Sequence, residues 1–175
     1  AMTEWSFIDK TTCVYCTFGF EGTHAWPDAI SMAGVEFLAL KHRHIFKVKV
    51  TVSVNHDDRD IEFILLKRYL QKVVIMWPKD LHNASCEMMA YCIGIATHGF
   101  INELTHDQLY FNFPFVRTPW KVDYEKKTPF LSSNSIEVEV SEDGENGARV
   151  CMKPVYYGHI KEEPETYKGA IRVNP

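Results

Sequence analysis

Nowhere in these 175 residues does an apolar run approach the roughly 20 residues that span a membrane, so the chain is expected not to cross one. No signal-peptide pattern opens it. Basic charge is not in excess: 19 Lys and Arg against 23 Asp and Glu leave a formal charge of −4. The basic residues are also scattered, which excludes the electrostatic footprint of a nucleic-acid binder. Cysteine is scarce and odd in number, five in all, which argues against a disulfide scaffold and for reduced thiols in a cytoplasmic setting. Cys13 and Cys16 form a CxxC, but no second CxxC completes a four-thiolate zinc site. Internal repeats and low-complexity tracts are missing too. What remains is the composition of an ordinary globule, 46% apolar and 24% charged, long enough for one domain with a real core.

Within that domain one stretch is unusual. Residues two apart on a strand share a face. Residues 12–22 read as a first strand, with Val14, Cys16, Phe18 and Phe20 on one face, and the same parity reaches His24. Residues 44–54 read as a second. His42 and His44 open a face that continues as Phe46, Val48, Val50, Val52 and Val54, while Arg43, Lys47, Lys49, Thr51 and Ser53 face the other way. If the two strands pair antiparallel, three imidazoles meet at one end of the core face. Three neutral imidazoles suit Zn2+ and leave a fourth position open for water or substrate. The segment between the strands, with Pro27 and Gly34, is expected to be a loop.

Helical periodicity follows from Ile61 to about Met76, through Leu65, Leu66, Tyr69, Leu70 and Val73, and Pro78 stops it. Ser85 is a natural N-cap for a second helix running to about Glu103, with Glu87 in its first turn. Gly94 and Gly99 weaken the regularity of that helix. Residues 105–134, rich in aromatics and proline, read as an insertion with a short strand near 108–116. Alternation returns at Ile136, Val138 and Val140, and the inward parity continues to Glu142. After a turn at 143–147, Ala148, Val150 and Met152 give a fourth strand. Residues 154–175 read as a tail to a single domain over 1–153. The order is ββααββ: a four-stranded antiparallel sheet with two helices on one face, an α+β domain.

These motifs resemble the 6-pyruvoyl-tetrahydropterin synthase and 6-carboxytetrahydropterin synthase family. The similar elements are the segment from Phe18 to His24, His42-Arg-His44 opening a strand, and residues 61–67, which resemble the family's Asp-Phe-x-x-Leu-Lys. Ser85-Cys-Glu87 is similar to its Thr-Ser-Glu, and Val140-Ser-Glu142 to its strand-end Glu. They occur in the family's order over residues 12–103 and 135–153. The resemblance implies a tunnelling fold and a homo-oligomer with active sites between subunits. It also implies zinc on His24, His42 and His44, and a pterin-like substrate held by Glu142 beside Ser85 and Glu87. A carboxylate suits that role because it accepts two hydrogen bonds from an amino group and an adjacent ring N–H.

Departures from the pattern bear on the chemistry. Leu38 stands where the family has a catalytic Cys, and Trp77-Pro78 where it has Asp-His. Glu36 and His82 are the nearest substitutes by position for acid and base. Three functions are therefore weighed: a zinc-dependent lyase of a pterin or 7-deazapurine pathway, a non-catalytic pterin- or purine-binding relative that keeps the metal, and a protein whose zinc only stabilises the fold.

Overall fold

Strict alternation of valines with lysines, threonines and serines builds strands with one dry face and one wet face. The structure, a computed structural model, describes residues 10–101 and 134–153. All but the last residue of the insertion at 105–134, with its expected strand near 108–116, and the tail at 154–175 lie outside the described residues. Four strands, β1 (Thr12–His24), β2 (His42–Val54), β3 (Ile136–Glu142) and β4 (Asn146–Met152), form one sheet in the order β1-β2-β3-β4. All three pairings are antiparallel. The helices α1 (Phe63–Ile75) and α2 (Cys86–Ile101) come between β2 and β3 in the chain, and pack α1 against β1 and α2 against β3 and β4. The fold is the α+β arrangement expected, in the expected ββααββ order.

Register fixes which residues share the core. Thr12 pairs with Val54 at one end of the first ladder and His24 with His42 at the other. Phe46, Val48, Val50 and Val52 are buried on the inward face of β2, and Ile136, Val138 and Val140 on that of β3. Both first strands run further toward the histidines than their alternation alone marked, β1 to His24 and β2 from His42. Where a loop was expected between them, two short 3-10 helices form, Pro27–Ser31 and Glu36–Ala39. Pro27 supplies the pre-set φ of a helical first turn, but neither segment has the length or apolar period to be seen as a helix.

Helix α1 begins later than its periodicity suggested, because the Glu62 side chain caps it by accepting from Ile64 N–H. Its buried stripe is Leu66, Leu70 and Val74, a strict i, i+4 row; Leu65, expected in the stripe, is exposed. Helix α2 is continuous through Gly94, which serves packing rather than interruption. A Cβ there would sit 2.5 Å from Met152 Sδ and 3.6 Å from Val138 Cγ2, so the absent side chain lets the helix lie close on β3 and β4. Ser85 caps α2 as expected, its Oγ accepting Met88 N–H at 3.2 Å. Among the described residues no helix is long and apolar enough to cross a membrane, and all five cysteines are free. Burial pushes the thiol of Cys16 up to about 11 and that of Cys92 up to about 12.

Candidate metal centre

A strand that carries histidine on its core face must find partners for two ring nitrogens per imidazole. At the paired ends of β1 and β2 the rings of His24, His42 and His44 come together edge to face, with centroids 4.6, 5.3 and 5.0 Å apart. Phe46 is their floor: it is fully buried, 5.3 Å from the His24 ring and 5.8 Å from the His44 ring, and stacked on Phe20 at 5.3 Å.

Three acceptors fix the tautomers. The segment between the helices runs beside the end of β1, where Thr23 N–H donates to Lys79 O, Leu81 N–H to Thr23 O and Ala25 N–H to His82 O. That pairing brings the Ala84 carbonyl 2.8 Å from His24 Nδ1. His42 Nδ1 meets the Leu40 carbonyl at 2.7 Å, and His44 Nδ1 meets Asp143 Oδ2 at 2.6 Å. A carbonyl or carboxylate oxygen accepts, so each Nδ1 carries a proton, and in the neutral imidazole each Nε2 presents a lone pair. One ligand nitrogen from each ring can be chosen so that all three lie within 4.8 Å of one another. His24 Nε2 and His44 Nε2 are buried with no hydrogen-bond partner among the described residues. Orphaned, converging lone pairs behind fixed tautomers are the donor set of a metal ion, and the residues fit one.

Asp143 was missing from the candidates drawn from sequence. It opens the β3–β4 turn in the left-handed region at φ 52°, uncommon for a residue with a Cβ. The conformation is held by its own N–H donating to Ile45 O and by its Oδ1 accepting Ile45 N–H. Both oxygens are thereby engaged, and the His44 and Ile45 hydrogen bonds hold its carboxyl below the usual range. A carboxylate immediately after an inward Glu at a strand end is the signal that could have marked it.

Two of the three histidines, His24 and His42, line a cavity of about 550 Å3. Its walls include the expected Ser85, Glu87 and Glu142, together with Leu38, Trp26 and a residue not anticipated, Cys86. Cys86 is buried at the start of α2, its Sγ 3.9 Å from Glu142 Oε1. Burial, then the Glu142 charge, pushes its thiol up to about 12. It is a neutral group at ordinary pH. Glu36 and His82 do not line this cavity. Glu36 is exposed on the second 3-10 helix and accepts Gly34 N–H at 2.9 Å; His82 is exposed at φ 53°. Trp77 lies edge-on to Phe20 at 5.3 Å, packed against the core rather than facing the cavity. A larger hollow of about 810 Å3 lies over outward-facing residues of the sheet such as Lys47, Lys49, Glu139 and Arg149. Glu139 there pairs with Lys49 and Arg149, so these charges neutralise one another instead of converging on a ligand.

No protein-family model matches the chain, and no curated protein matches it in sequence. Among solved structures it is similar to a catalytic-residue mutant of Plasmodium vivax 6-pyruvoyltetrahydropterin synthase, with a TM-score of 0.50 at 17% identity. That likeness covers 83% of this chain and 100% of the other. At this identity it establishes the fold, that of a tetrahydropterin synthase.

Proposed function

We propose that this chain is a zinc-dependent relative of the 6-pyruvoyl- and 6-carboxytetrahydropterin synthases that takes a pterin-like heterocycle. The reading rests on one observation: three imidazoles meet at the paired ends of two strands, two of their Nε2 atoms buried without a hydrogen bond, and His24 and His42 line a cavity. Leaving such groups unpaired costs about 1–3 kcal/mol each, which a metal removes. His24, His42 and His44 would hold zinc, which when bound supplies a Lewis acid for a substrate oxygen.

The chain's own groups do the rest. Ala84, Leu40 and Asp143 keep the three rings in the ligating tautomer. Glu87 and Glu142 offer carboxylate acceptors from two sides of the cavity, suited to the amino and N–H edge of a pterin, with the Ser85 hydroxyl beside them. Leu38 and Trp26 present apolar surface against which a flat ring can lie. Among the described residues no further strand pairs with the outer edge of β4 or with that of β1 before Thr23, and these are the surfaces through which such sheets would join into a homo-oligomer, placing the sites between subunits. The apolar wall at Leu38 favours a second reading, a pterin- or purine-binding protein without turnover.

Metal analysis of the wild type and of H24A, H42A and H44A tests the centre: one zinc per chain is expected, lost in each variant. Undiminished zinc in all three would refute it. Calorimetry of the zinc-loaded protein with a pterin tests the cavity, and E87Q should weaken binding by about 1.5–3 kcal/mol, the scale of a hydrogen bond to a charged group. Dihydroneopterin triphosphate assayed with the same protein then separates enzyme from binder.

A further inference from the structure

The inward face of β3 ends on a carboxylate. Ile136, Val138, Val140 and Glu142 share parity, and Glu142 pairs across the ladder with Phe46, the floor of the triad. Its two oxygens divide between two histidines: Oε1 is 3.1 Å from His24 Nε2, and Oε2 is 3.6 Å from His44 Nε2. The Nδ1 protons are committed elsewhere, so in the neutral imidazoles these are contacts between a carboxylate and lone pairs. Such groups repel unless a proton on the ring or a metal ion stands between them. Among the described residues neither Lys nor Arg pairs with Glu142; its remaining side-chain neighbour is the Cys86 thiol.

Zinc–nitrogen and zinc–oxygen bonds are near 2.1 Å, so neighbouring ligands of a tetrahedral site lie about 3.4 Å apart. Each Glu142 oxygen is near that spacing from one histidine nitrogen, Oε1 at 3.1 Å from His24 and Oε2 at 3.6 Å from His44, so the carboxylate faces the site with both oxygens. We infer that Glu142 is the fourth ligand of the metal in the ligand-free protein, completing a His3Glu site from the His24 and His44 side. His44 would then be gripped by consecutive residues: Asp143 accepts the hydrogen bond from its Nδ1–H behind the ring, and Glu142 would share the metal held by its Nε2. A heterocycle entering the cavity would compete with the metal for the Glu142 carboxylate, which lines that cavity. A ring edge with N–H donors offers that carboxylate its alternative partner.

This inference rests on the triad being a metal centre, and the experiment separates the two. Zinc affinity is measured by competition with a chromophoric chelator, and the visible spectrum is recorded with Co2+, for wild type, E142A, E142Q and H42A. Orienting partners behind a ligand are worth about 10–100-fold in affinity, so loss of a ligand itself should cost at least that. E142A is expected to fall by this factor and to shift the cobalt bands, with the isosteric E142Q, a poorer donor of the same size, between it and wild type. Zinc affinities within twofold of wild type and superimposable cobalt spectra in both Glu142 variants, with binding abolished in H42A, would overturn the fourth ligand and leave the triad standing. Retention of wild-type zinc affinity by H42A would overturn the triad itself.

Discussion

Phe46 joins core to metal centre, and replacing it separates their energetics. In F46L the chain loses the stack on Phe20 and the floor beneath His24 and His44, while keeping an apolar side chain at a site with no exposure. An aromatic pair contributes about 0.5–1.5 kcal/mol beyond its buried area. The smaller side chain leaves a gap on the scale of one methylene, about 0.8 kcal/mol. Together these make a loss of about 2 kcal/mol, which for a chain of this length lowers Tm by about 4–8 °C.

The informative quantity is the difference with and without metal. If the Phe46 ring orients the two imidazoles, its loss also weakens zinc binding, and each tenfold loss of affinity removes a further 1.4 kcal/mol or so at saturating zinc. Urea unfolding of wild type and F46L, in chelator and in excess zinc, reads both terms. A loss near 2 kcal/mol in chelator, growing in zinc, is the expected result. Equal losses under the two conditions would refute the positioning role and leave Phe46 as core alone.

Two further outcomes follow from packing and burial. G147A should be costly, because its Cβ would lie 2.1 Å from Val140 O and 2.6 Å from Ser141 Cα, both backbone; a thermal melt should show a loss at the upper end of the about 1–3 kcal/mol for overpacking. G94A should be milder in the same melt, since its Cβ meets the flexible Met152 Sδ. Stability should fall at alkaline pH. Cys16 and Cys92 have thiols raised from 9.0 to about 11 and about 12, so their contribution is complete below pH 9 and lost as pH rises toward those values. C92A should show a shallower decline in urea midpoint from pH 8.5 to 11, and an unchanged slope would refute the assignment.

The three histidines were legible because strand parity is a rigid rule: one register, His24 opposite His42, determines which side chains meet. Glu142 was legible for the same reason, and Ser85 because capping is local. What parity could not reach was anything set by a turn. Asp143 acts on His44 through a left-handed residue that folds its carboxylate back onto Ile45, and alternation says nothing about such a bend. Ala84 reaches His24 through the pairing of residues 79–82 with the end of β1, a contact between segments far apart in the chain. Cys86 reads as an ordinary buried thiol until the helix start is placed against Glu142. Glu36 and His82 were chosen by distance along the chain, and the fold puts neither in the cavity wall. Leu65 shows the same limit in the core: an apolar residue fits a stripe on paper, but the cap at Glu62 sets the helix so that Leu66, Leu70 and Val74 face the sheet.

The same rule that made the site readable explains its placement. A core face must end where the sheet meets solvent; here β1 and β2 end together at His24 and His42, and β3 ends at Glu142, opposite Phe46 and two residues in from His44. Apolar residues there would have extended the core at no electrostatic cost. Instead two buried nitrogens go unpaired, at about 1–3 kcal/mol each, and a carboxylate faces them. Against a total stability of about 5–15 kcal/mol for a domain, that is a large penalty to hold in one corner. Every other choice around it reduces the freedom of those groups: three acceptors hold the tautomers, Phe46 holds the rings, and a strained Asp143 holds the turn. Histidines and a carboxylate held this close, on a scaffold that prevents their escape, form a donor set that fits a cation, with a cavity beside it.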